Sequence, residues 1–557
     1  MRICPWIDVP VFAALACLVA GAPAFASDHD AWKPASVSIV PPDWDAVRAD
    51  AAELFGAGGG EKSADALARL NEAAGKVFPA IATSAAPVLV PFDTRAFLRE
   101  PASEPAKPAA GYSPGFQATP FFLTGPAGYD AVFSVKPGAL EGLGGVGESD
   151  PVLVEISAST LLYDLPPAKA VSELPVRGVE KNFPNIRRFI LENYLRYAFE
   201  KYGMTYVVSI SCFDGRPRAR WISCTQAERV AQHFLNALNL AGGNPDAPKA
   251  SAFAAAERPK DASPDFTYHP AGRLLPGTGF NRNDGVADNS VYANIRFPFD
   301  KAPAFANSQS FMNWGDCDQT GRSPSPGDRK DAPYRCRVNR KLLVFNEAAP
   351  ENYAYPWRDN FCEHRHFYVG QCPSGQGHQG QDLRPAACKL ANDGADRCEP
   401  YQDDLVAVRA GLILRTPQQE AVFLTANSSS EHVRFRYMHM HPRQLDEDGV
   451  LSGRAVREGE IIGKAGNFNR KENLTTYHLH FEIMVPTRDG WARVNPYMTL
   501  VASYERLIGG RGAQVDDPEP MPDAAVQTSE AGETTAEAPR ATKKRYKSKR
   551  KRYRRHR

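Results

Sequence analysis

The segment Tyr477-His478-Leu479-His480-Phe481-Glu482 constrains the chain more than any other. Residues i and i+2 of a β-strand project from the same face. A strand here sends His478 and His480 into one cavity and turns Leu479 and Phe481 toward the opposite core. Two imidazoles on one rigid element suit a metal or acid–base chemistry. On its own, a His-x-His pair also suits a solvated or hydrogen-bonded pair of side chains. About a hundred residues earlier stands His378-Gln379-Gly380-Gln381-Asp382, and between the two lies Tyr437-Met438-His439-Met440-His441. Zinc takes His nitrogen and Asp oxygen, and a catalytic zinc usually has three protein ligands and one open position. His378, Asp382 and one histidine of the pair supply such a set.

These motifs resemble the lysostaphin-type zinc endopeptidases, or LytM-type peptidoglycan hydrolases, over roughly residues 291–504. Gly377-His378-Gln379-Gly380-Gln381-Asp382-Leu383 resembles the family's first ligand motif, and Val406 to Gly411 the strand and turn after it. Arg436 to Met440 is similar to its Tyr-x-His segment, and Gly459 to Gly466 to its glycine-spaced approach to the His-Leu-His-Phe-Glu strand. The resemblance implies a mainly antiparallel β catalytic domain holding one Zn2+ per chain. His378, Asp382 and His480 would be its ligands, and His439 and His478 non-ligand catalytic histidines. It also implies peptidoglycan as substrate, with cleavage of crosslinks or stem peptides. A non-catalytic activator of a cell-wall amidase is the alternative, and a zinc peptidase of protein substrates a third. The segment from Asn467 to Tyr477 is longer and more polar than the family's turn, which bears on specificity. His441 competes with His439 because the two share a strand face; the Tyr-x-His position favours His439. His364, His366 and His432 are read as surface residues or as support for the ligands.

Residues 1–26 combine Arg2, an apolar run from Val9 to Ala20 and the ending Ala24-Phe25-Ala26, the pattern of a signal peptide. The run is short for a membrane span, and no longer one follows. A soluble exported chain, in the periplasm or cell envelope or secreted, is expected. Cys17 leaves a lipid anchor as the alternative. Eight cysteines remain after Cys4 and Cys17, an even number that suits disulfides in an exported protein. Close spacing favours Cys212–Cys224, Cys317–Cys336 and Cys388–Cys398, which leaves Cys362–Cys372; a structural zinc site is the alternative, but the sequence has no Cys-x-x-Cys.

Composition divides the rest. Residues 27–111 form an Ala- and Pro-rich lead-in and linker with one helical stretch near Trp44–Lys76. Residues 112–245 form a small α+β domain of unknown role. Within it, Val152–Leu162 and Met204–Cys212 are expected as strands, and Ile186–Tyr202 and Gln226–Leu240 as helices. Residues 246–290 are a linker, 291–504 the zinc peptidase domain with disulfide-stapled loops, and 505–557 a disordered tail. Arg540–Arg557 carries twelve Lys or Arg and no acid, so a chain of net charge +2 is at −10 before it. Export makes nucleic acid a poor partner for this run and favours an anionic envelope surface such as lipid headgroups or cell-wall carboxylates.

Overall fold

A computed structural model describes residues 35–514, apart from 56–62, 100–112, 141–150, 166–172, 215–221, 252–265, 269–293, 307–315, 318–335, 343–360, 386–398, 416–420 and some shorter stretches. The fold is mostly antiparallel sheet with few helices. The expected signal peptide and the tail from Arg540 lie outside the described residues, as do Cys388, Cys398, His364 and His366.

The first sheet has six strands: β1 (Phe116–Gly125), β2 (Gly128–Val135), β3 (Leu153–Ser159), β4 (Arg187–Leu191), β5 (Tyr194–Lys201) and β6 (Met204–Ser211), in the order β1-β2-β3-β6-β5-β4. Against it pack α1 (Trp44–Leu54), α2 (Ser63–Gly75) and α3 (Cys224–Asn236). Val47, Leu67 and Leu70 share one core with Tyr129, Tyr206 and Phe234, so the segment expected as lead-in and linker helps build this domain. The single helical stretch expected over Trp44–Lys76 is two helices. Ser223 and Gln226 form a reciprocal capping box at the start of α3, and a Cys212–Cys224 disulfide ties that end to the end of β6.

The helix expected over Ile186–Tyr202 is instead the β4–β5 hairpin. Its strands pair from Arg187↔Ala198 to Leu191↔Tyr194 around the two-residue turn Glu192-Asn193. Both turn residues have positive φ, 56° and 64°, as a type I′ turn requires. The apolar positions therefore repeat every second residue, and Leu195, Tyr197 and Phe199 pack into the core shared with Val230 and Phe234 of α3.

The second sheet has eight strands. Its members are β7 (Ala304–Ala306), β8 (Gln381–Pro385), β9 (Gly411–Arg415), β10 (Val422–Asn427), β11 (His432–Met438), β12 (Ala455–Val456), β13 (Leu479–Thr487) and β14 (Gly490–Val494). They run β7-β8-β13-β11-β10-β9-β12, with β14 on β13. Alternation divides each central strand. Leu479, Phe481, Ile483 and Val485 of β13, with Val433, Phe435 and Tyr437 of β11, enter the main core. His480, Glu482 and Met484 take the other face, with Arg434 and Arg436 beside them across the β11–β13 pair.

That other face is buried too, because the first sheet lies on part of it. Met484, Phe423, Leu414 and Trp491 join Phe121 and Val132 in one apolar cluster. Polar groups there find partners some three hundred residues away. His432 bonds Asp130 at 2.7 Å and Ser159 at 2.8 Å, and Arg434 donates to Glu155 at 2.8 Å. His432 is fully buried, so its expected place at the surface or beside the ligands is corrected: it joins the two sheets.

Candidate functional site

Three atoms converge at one end of the second sheet. Asp382 on β8 stands directly opposite His480 on β13, and His378 precedes β8 by one turn of chain. His480 Nδ1 lies 2.9 Å from Asp382 Oδ1 and 3.0 Å from His378 Nε2. His378 Nε2 lies 3.3 Å from Asp382 Oδ1. A tetrahedral zinc with bonds of about 2.0–2.2 Å separates its ligand atoms by roughly 3.3–3.6 Å. The triangle is therefore close to the size and composition that zinc takes, two imidazole nitrogens and one carboxylate oxygen. Among the described residues, His378, Asp382 and His480 form the group able to hold a metal, and all three are buried.

The supporting hydrogen bonds point the same way. Glu482, two residues beyond His480 and on the same strand face, accepts from His480 Nε2 at 3.1 Å. That bond fixes the ring and leaves the Nδ1 lone pair facing the triangle. Burial alone would raise the Glu482 carboxyl, but Arg493 and Arg436 hold it well below the usual range. Asp382 is likewise kept ionised against its burial by the surrounding imidazoles, His378 first. Burial pushes His480 down, yet Asp382 and Glu482 more than offset this, so the metal-free ring titrates above its ordinary value.

A second pair of imidazoles borders the triangle. His439 and His478 have ring centroids 4.5 Å apart, and His478 Nε2 is 3.4 Å from Asp382 Oδ1. β11 ends at Met438, and His439 follows in the left-handed region with φ 74°, an uncommon conformation for a residue with a side chain. Its Nδ1 donates to the Phe468 carbonyl at 2.8 Å, which leaves Nε2 free to accept a proton. Burial, reinforced by His480, lowers the ring to about 4, so it is neutral near pH 7.

The structure thus brings together all five residues expected from the sequence. His441 is placed elsewhere: it does not share a strand face with His439 but stands at the N-cap position of α4 (Pro442–Glu447), without a side-chain capping bond, and pairs with Glu472 at 2.8 Å. The polar segment after Gly466 is more than a groove wall, because it supplies the Phe468 carbonyl. Sequence reasoning missed the roles of Glu482, Arg436, Arg493 and Phe468. Glu482 was readable by period two; the others depend on pairing across strands and loops.

The Cys362–Cys372 disulfide borders the ligand segment, where the Cys362 N–H donates to the His378 carbonyl at 3.0 Å. Cys317 and Cys336 are backbone partners in a short antiparallel pair.

No protein-family model matches the chain, and no curated protein matches it. Among solved structures it is similar to a putative glycyl-glycine endopeptidase LytM from Ruminococcus gnavus, with 20% identity over 25% of this chain and 49% of that one, at a TM-score of 0.18. It is also similar to the antimicrobial peptidase lysostaphin from Staphylococcus simulans, with 19% identity over 26% of this chain and 52% of that one, at a TM-score of 0.16. The chain spans about half the length of each. At such values the functional reading rests on the motifs and on the site's own geometry.

Proposed function

We propose that the chain is an exported zinc-dependent endopeptidase that hydrolyses peptide bonds in peptidoglycan, in crosslinks or stem peptides. The observation that carries this reading is the convergence of His378 Nε2, Asp382 Oδ1 and His480 Nδ1 beside a second pair of imidazoles. Zinc held by those three residues supplies a Lewis acid that acidifies water and polarises a carbonyl. His439 is the general base: neutral at working pH, with Nε2 open, it takes the proton of an attacking water. His478, packed against it, is placed to stabilise the oxygen that becomes negative during attack. The sequence resemblance supports peptidoglycan as substrate. The disulfides Cys212–Cys224 and Cys362–Cys372 support an oxidising compartment, and among the described residues no helix is long and apolar enough to cross a membrane. The basic run Arg540–Arg557 is proposed to hold the enzyme at an anionic envelope surface.

The full mature chain should carry one zinc and release peptide-cleaved fragments from purified sacculi, read by mass spectrometry. Asp382→Ala should lose both properties, since two remaining ligands hold zinc poorly. Full zinc occupancy in that variant would sink the ligand assignment. Intact sacculi together with stimulation of a separate amidase would identify an activator instead.

A further inference from the structure

We infer that Glu192, at the tip of the β4–β5 hairpin, is a positioning residue for the metal-binding His480, acting through Arg493 and Glu482. The inference rests on the zinc site proposed above. Two-residue hairpin turns with positive φ usually carry Asn, Asp or Gly and face water. Glu192 breaks that pattern: its φ is 56° and its side chain is 2% exposed. A left-handed, buried carboxylate at a turn tip costs free energy in both conformation and desolvation. Such a cost persists where the surrounding structure requires the group.

What it meets is one prong of Arg493, whose Nη1 donates to Glu192 Oε2. Arg493 Nε donates at the same time to Glu482 Oε2 at 2.7 Å. Arg493 thus bridges a carboxylate from each half of the chain. The other oxygen of Glu482 accepts from Arg436 at 2.8 Å and from His480 Nε2 at 3.1 Å. Every step from Glu192 to His480 is a direct polar contact between side chains at most 7% exposed, apart from the flanking Arg436. Arg196, 3.6 Å from Glu192, belongs to the same charge balance.

The planar guanidinium makes this relay directional. With one prong anchored by Glu192, the orientation of Nε toward Glu482 is set, and the carboxylate that holds the His480 ring is set with it. Without the Glu192 charge, Arg493 and Arg196 are buried with one carboxylate fewer, and Glu482 must shift to serve them. The six-stranded domain is therefore part of the metal site's support, and residues 291–504 alone lack the outermost member of the relay.

The test measures zinc affinity of the full mature chain by chelator competition at neutral pH, with Co2+ absorption as a readout of ligand geometry. Outer partners bonded directly to a ligand are worth about 10- to 100-fold in metal affinity. Acting two residues further out, Glu192→Gln should weaken zinc by about 3- to 10-fold and alter the Co2+ spectrum. Asp489→Asn breaks another ion pair between the halves, Arg187–Asp489 at 2.6 Å, and should leave affinity unchanged. If Glu192→Gln does not fold, Arg493→Lys carries the test, since an ammonium cannot reproduce the two-pronged bridge; it should weaken zinc at least as much. A folded Glu192→Gln, or in its place Arg493→Lys, with wild-type affinity and spectrum would overturn the inference, even if its melting temperature falls. Wild-type protein that takes up no zinc would instead refute the metal site itself.

Discussion

Gly380 sits between two proposed ligands, and its replacement by alanine gives the sharpest test of how the site is assembled. A Cβ at this position would lie 2.1 Å from the Phe481 carbonyl oxygen and 2.8 Å from its carbon. Both are backbone atoms of β13, so no side chain can rotate away. Cβ contacts under 3.0 Å are essentially never seen, so the strands must part by about 1 Å at that point. Overpacking of this kind costs roughly 1–3 kcal/mol, which the fold can survive. The metal site is less tolerant, because ligand distances must stay within about 0.2 Å of their preferred values. The displacement falls between β8, which carries Asp382 and follows His378, and β13, which carries His480. Gly380→Ala should therefore remain folded by circular dichroism and melt a few degrees lower, yet lose most of its zinc and sacculus hydrolysis. Metal content by atomic emission and a thermal melt of the same sample decide the matter. A folded variant with full zinc and normal turnover would refute the argument that close backbone approach at Gly380 sets the ligand geometry.

His439→Ala and His478→Ala should each keep zinc but lose turnover by about 100- to 10,000-fold, the range of general acid–base groups, whereas His441→Ala should be silent; a damaging His441→Ala with a silent His439→Ala would reverse their roles. Because burial holds His439 near 4, below its unfolded value of about 6.5, the unfolded chain binds a proton through that interval that the folded chain refuses. Stability of the metal-free protein should thus fall as pH drops from about 6.5 to 4, by up to about 3 kcal/mol from this group. Denaturant titrations should show wild type losing more than His439→Gln over that interval; parallel losses would contradict the shift. Removing the Cys362–Cys372 bridge by paired Ser substitutions should lower zinc affinity, since Cys362 bonds the His378 carbonyl. The same change at Cys212–Cys224 should cost stability, by roughly 2–4 kcal/mol, while leaving zinc affinity as it was.

Much of the site was legible because strand geometry is a local property. A period of two puts His478, His480 and Glu482 on one face whatever the rest of the chain does, and the resemblance to LytM-type peptidases implied that His378, Asp382 and His439 join it. The same local logic fails where one pattern suits two elements. Ile186–Tyr202 mixes apolar and charged residues in a way that fits a helix, and only the left-handed pair Glu192-Asn193 turns it into a hairpin. Asn193 is an ordinary residue for such a turn, but Glu192 is not, so the sequence carried only half of the turn signal. His441 likewise matched a strand face on paper, but β11 ends at Met438 and His439 turns the chain aside.

Periodicity tells which side chains share a face and says nothing of what covers that face. His432, Arg434 and Arg436 alternate with core residues as the solvated side of a sheet would. In the folded protein the first two meet Asp130, Ser159 and Glu155 of another sheet, and Arg436 meets Glu482. Local spacing put His478, His480 and Glu482 on one strand face; the ligand triangle closed through the pairing of β8 with β13, and the burial and pairing of the charges behind it were decided only when two sheets closed on each other, because a charge is driven from water only with a partner that the chain brings from far away.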